Sequence, residues 1–130
     1  WKPHEKSMSL GHLAGHIVEM VGWTKMTLTE DELDFSTMDY KPKEFTDSTE
    51  LVADLDANIA DAAEILNNVS NETMAENWTM RNGEQIFFTL PKAAVMRSFV
   101  MSHIIHHRGQ MSVYLRLLDI PVPSIYGPSA

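Results

Sequence analysis

A chain of 130 residues with 44% hydrophobic and 22% charged side chains has the composition of one folded domain, 1–130, with a single core. Its formal net charge of −8 argues against nucleic acid as a partner, and no apolar run approaches the ~18 residues of a membrane span. Cysteine is absent, which removes disulfides, thiolate ligands and a cysteine nucleophile and suits a reducing cytoplasm.

Residues 1–8 read as a polar entry segment containing Pro3. Ser9 is placed to cap a helix over 10–28, in which Leu13, His16 or Ile17, Met20, Trp23 or Thr24 and Thr27 recur at helical spacing. Gly11, Gly15 and Gly22 each weaken that helix by ~1 kcal/mol relative to alanine, so they imply that another helix presses close. The stretch 29–45, acidic and interrupted by Lys41-Pro42-Lys43, reads as a long loop. Asp47 and Glu50 have capping-box spacing ahead of a helix over 48–69. Its predicted inner side carries Leu51, Leu55, Ile59, Ala62 or Ala63, and Leu66; Asp54, Asp56, Asp61 and Glu64 form a solvated acidic face.

The one β signal follows. Trp78-Thr79-Met80-Arg81 and Gln85-Ile86-Phe87-Phe88 flank Asn82-Gly83, a strong hairpin cue. Arms this short must pack against the helices to persist. Pro91 fits the first turn of a last helix that runs to 118 or 119, and a non-helical tail covers 124–130.

Within that last helix, Met96, Val100, His103, His107, Met111 (or Gln110), Tyr114 and Leu118 recur at intervals of three and four. His103 and His107, four apart, therefore stack on the apolar stripe. His16 lies on the apolar side of the first helix, one turn after His12. A buried imidazole costs free energy unless its ring nitrogens find partners, and a shared divalent metal satisfies three rings at once. The alternative, neutral core histidines bonded to backbone or carboxylate, stays open at this point. A three-histidine set leaves coordination positions for water or substrate, the pattern of a catalytic site. Imidazole suits zinc, nickel, iron or copper about equally. His106 points away and is assigned to outer-shell bonding or an interface, while His4 belongs to solvent. Glu19 is a candidate outer-shell acceptor or general base, set against a surface role or a pairing with Arg108. Arg108 in turn either pairs with a carboxylate or meets an anionic substrate group.

Gly15-His16, the run His106-His107-Arg108-Gly109-Gln110 and the tail Pro123-Ser124-Ile125-Tyr126-Gly127-Pro128-Ser129 together resemble the DinB-like family of bacterial metal-binding four-helix bundles. The resemblance extends over Trp1-Lys2-Pro3, 20–33, the Asn82-Gly83 hairpin and Pro91. It implies an all-α, up-down helix bundle with the β-hairpin inserted before the last helix. It also implies a divalent metal held by His16, His103 and His107, and homodimers. Related families include transferases that use low-molecular-weight thiols such as bacillithiol or mycothiol. The family's usual first helix is missing ahead of Trp1. A bundle without it leaves exposed apolar side chains, to be covered by upstream residues or by a partner chain. The expected function is thus a metal-dependent enzyme on a small-molecule substrate, a thiol-dependent transferase or a hydrolase. The alternative is a non-catalytic, dimeric, metal-stabilised binding or stress-response protein.

Overall fold

In the computed structural model, which describes residues 1–127, the chain opens with α1 (Leu10–Thr29) and β1 (Glu32–Asp34). Next come α2 (Ser48–Asn68), the short α3 (Asn71–Ala75), and the strands β2 (Asn77–Asn82) and β3 (Gln85–Pro91). A continuous helical rod ends the order: α4 (Lys92–Val95), a π-helical stretch (Met96–Met101) and α5 (Ser102–Leu117). The non-helical tail is found as far as 127, and 128–130, including Pro128 and Ser129 of the tail motif, lie outside the described residues.

The all-α expectation fails. A three-stranded mixed sheet, ordered β1-β2-β3, stands beside the helices. β1 arises inside the expected 29–45 loop and pairs in parallel with β2, setting Leu33 opposite Met80. Three residues of Glu-Leu-Asp carry no periodic signal of their own; the neighbouring strand makes them a strand. β2 alternates as a half-buried strand should, with Trp78 fully buried and Met80 nearly so, and pairs antiparallel with β3. Asn82 and Gln85 close the hairpin, so its central residues are Gly83-Glu84 and not Asn82-Gly83. Gly83 has φ +60, the positive value that a type II′ turn needs at its first central position. Pro91 ends β3 and caps α4, one residue ahead of the first helical turn assigned to it.

Both long helices begin on side-chain caps that the sequence announces. Ser9 accepts the amide of His12, and Asp47 accepts those of Thr49 and Glu50. The core gathers the second half of α1 (Met20, Trp23, Leu28), the sheet (Leu33, Trp78, Met80) and the helical rod (Val95, Met96, Val100). α2 turns Ala62 and Ile65 inward, whereas Ile59 and Leu66, expected inside, are exposed along with Val52. Of the three α1 glycines, Gly22 alone faces a helix, at the Asn58 side chain of α2; Gly15 faces the Phe45 ring and Gly11 faces open space. The entry segment is fastened down: Trp1 meets Tyr114 edge-on, and the Tyr114 hydroxyl donates to the Met8 carbonyl.

Candidate metal centre

α1 packs against both α2 and α5, and its contact with α5 brings His16 to His103 and His107. Ring centroids lie 5.2 Å apart for His16–His103, 4.8 Å for His16–His107 and 4.6 Å for His103–His107. One ligand nitrogen from each ring falls within 4.8 Å of the other two. An ion bound tetrahedrally at ~2.1 Å needs nitrogens about 3.4 Å apart, so each ring has under about 1 Å to move. His107 is buried; His16 and His103 are half-buried.

The π-helical stretch immediately precedes this pair. The Ser102 amide bonds to the Arg97 carbonyl five residues back, and the Ser102 hydroxyl donates to the same oxygen at 3.0 Å. This wider turn changes the rotation at which His103 and His107 leave the rod relative to an unbroken α-helix. Such insertions recur at functional sites.

Two of the imidazoles already have a partner on their own helix. His16 Nδ1 donates to Glu19 Oε2 at 3.2 Å, and His107 Nδ1 donates to Gln110 Oε1 at 2.7 Å. For His16 and His107 this leaves Nε2 as the free nitrogen, the outer-shell arrangement that orients histidine ligands in metal sites. Burial, then the neighbouring imidazoles, push the His103 pKa down. Burial also lowers that of His107, against the Gln110 bond, with His16 and His106 adding to the decrease. Neutral rings are the form that ligates. The donor set therefore fits a divalent cation.

Glu19 is paired with His16 and not with Arg108. His106 is exposed, its ring 4.9 Å from that of His107, and His12 is exposed at the edge of a surface cavity. Two further residues, Gln110 and Tyr40, bear on the site. Gln110 repeats on α5 the i,i+3 contact of His16 with Glu19, a spacing present in the sequence. Tyr40 carries no such signal: it sits in the 29–45 segment, where burial and the nearby Glu19 carboxylate raise its pKa. Beside this chain of contacts lies a cavity of about 170 Å³ bordered by His16, Glu19, Pro42, Lys43 and Phe45.

Fold and site together define a mainly helical protein with a small mixed sheet and a three-histidine group able to hold a metal ion. The sequence pattern of the DinB family matches residues 1–130, and the chain belongs to that family. It is similar to the uncharacterized protein YrdA of Bacillus subtilis (strain 168), 35% identical over 75 residues, 55% of this chain and 44% of that protein. The chain thus matches less than half the length of that curated relative. Its fold is shared with the crystal structure of a DinB-like protein, YjoA, from Bacillus subtilis: TM-score 0.70 and 23% identity over 97% of this chain and 79% of the other. Among the described residues, no helix is long and apolar enough to cross a membrane.

Proposed function

We propose that the protein is a divalent-metal-dependent enzyme acting on a small molecule, with His16, His103 and His107 as the metal ligands. The observation that carries this reading is the convergence of three imidazoles, two of them turned by Glu19 and Gln110 so that Nε2 is free. A bound divalent cation supplies a Lewis acid that lowers the pKa of a coordinated water or thiol. Hydrolysis and thiol transfer both fit, and with no cysteine in the chain a thiol would come from a low-molecular-weight cofactor. Glu19 orients His16 and borders the adjacent cavity, which also places it to accept a proton from a substrate there. Exposed Val52, Ile59 and Leu66 on α2 and Ile105, Val113 and Leu117 on α5 support a homodimer. The cysteine-free composition supports a cytoplasmic location.

Elemental analysis of purified wild type, repeated on His103→Ala and His107→Ala, tests the metal reading; equal metal in all three refutes it. Metal-loaded protein is then incubated with an electrophile and bacillithiol, mycothiol or glutathione, and no rate above buffer rejects the transferase. A purely structural metal has one observation in its favour, the seat of His107 between α1 and α5. In that case added small molecules leave the visible spectrum of a cobalt-substituted centre unchanged, whereas an enzyme's open position shifts it.

A further inference from the structure

The segment 38–45 runs over one face of α1 and roofs two adjoining chambers. The smaller borders His16; the larger, about 400 Å³, is walled by Trp23, Met26, Leu33, Phe35, Met38 and Tyr40. Glu19, Lys43 and Asn58 line both, so the apolar chamber opens toward the metal centre. We infer that the larger chamber holds the apolar, preferably aromatic, part of a substrate without an anionic group, while the reacting end extends into the smaller chamber beside His16. The inference rests on the metal-enzyme reading and specifies the substrate class of that site.

Three observations carry it. The volume falls in the range of small-molecule sites, roughly 300–1,000 Å³, and aromatic, thioether and leucine side chains make most of the wall, beside Glu19, Lys41, Lys43 and Asn58. Methionine and aromatic rings adapt their contacts to flat apolar ligands. Met38 and Tyr40 remain 42% and 40% exposed, so the roof presents apolar surface that a ligand would cover. Charge decides the rest. Lys43 is paired with Glu50 and Asp54, and Lys41 with Asp39, while the Glu19 carboxylate opposes an anion. An anionic headgroup therefore finds no free counter-charge in the walls.

The test uses N-phenyl-1-naphthylamine, an uncharged aromatic probe whose fluorescence rises in apolar surroundings, titrated into the purified protein. Saturable binding is expected. Met26→Trp, which fills the chamber, and Met38→Asp, which charges its exposed roof, should each weaken binding at least about tenfold. Circular dichroism verifies that both variants are folded, and Met38→Asp serves alone if the bulkier change disturbs α1. His103→Ala should bind the probe within about twofold of wild type, because the chamber does not use that ring. This arm separates the two readings: a protein that binds no metal can still bind probe. Non-saturable binding, or equal affinity in wild type and both folded chamber variants, overturns the inference.

Discussion

His16 and His107 meet edge to face, with centroids 4.8 Å apart and planes 79° apart, although one belongs to the first helix and the other to the last. Packing of α1 on α5 is what joins them, and His103 closes the triangle. Replacing any one of the three by alanine removes a nitrogen from a three-nitrogen set. Zinc affinity, measured by competition with a chromophoric chelator, should fall more than about 100-fold, since loss of even an outer-shell partner commonly costs 10–100-fold. Unchanged affinity in all three variants contradicts the centre.

The i,i+3 partners give a finer test. Gln110→Ala deletes the acceptor on His107 Nδ1, and Glu19→Ala the one on His16. Each should weaken metal binding by about 10–100-fold while leaving all three ligands in place. Exposed Arg108, for which no ion pair is found among the described residues, supplies the control. If Arg108→Ala weakens binding as much as Gln110→Ala does, ring orientation is not the cause.

Protonation should oppose the folded site. The pKa values of His103 and His107 are lowered, burial being the largest cause for both. In the unfolded chain they titrate near the ordinary value of about 6.5. Above that pH both states carry neutral rings and the stability is fully present. As pH falls below it, the unfolded chain takes up protons first, so stability is lost down through the lower folded values. Melting in the presence of chelator should show the midpoint falling from pH 7 to pH 5. The double variant His103→Gln, His107→Gln should flatten that slope; an equal slope in the variant removes these rings as its source.

How far the sequence reaches depends on whether a signal is local. Ser9 and Asp47 mark helix starts because a cap is chemistry between a side chain and amides two or three residues away. His103 and His107 are legible for a similar reason, four residues being one turn. The inner face of α2 is not legible in the same way. Its sequence offers Ala62 and Ile65 on one stripe and Val52, Ile59 and Leu66 on another, and packing, not periodicity, chooses between them. β1 exists because β2, remote in sequence, supplies its ladder. Tyr40 reaches Glu19 only because the segment before α2 folds back along α1, and the π-helical turn before His103 leaves no composition signature.

Asp34 supplies the last prediction, an acid-sensitive clasp on the sheet. Its Oδ1 accepts the Gly83 amide at 2.9 Å and the Ser36 amide and hydroxyl at 2.9 and 2.7 Å, while Oδ2 faces the Arg81 guanidinium at 3.2 Å. The Gly83 amide, then the Ser36 groups, lower its pKa to about 2. Because this carboxylate is depressed on folding, its contribution is complete above the ordinary pKa of about 4 and vanishes as pH falls through about 2. Acid unfolding followed by tryptophan fluorescence should therefore steepen between those values, and Asp34→Asn should lose that component while being less stable at pH 7. Gly83→Ala attacks the same clasp from the other side. It keeps the amide but forces an alanine to φ +60, which should cost roughly 1–2 kcal/mol at every pH. A carboxylate clasp thus predicts a pH-dependent loss for one variant and a pH-independent loss for the other. If both losses prove pH-independent, the charge on Asp34 does not hold the hairpin to β1.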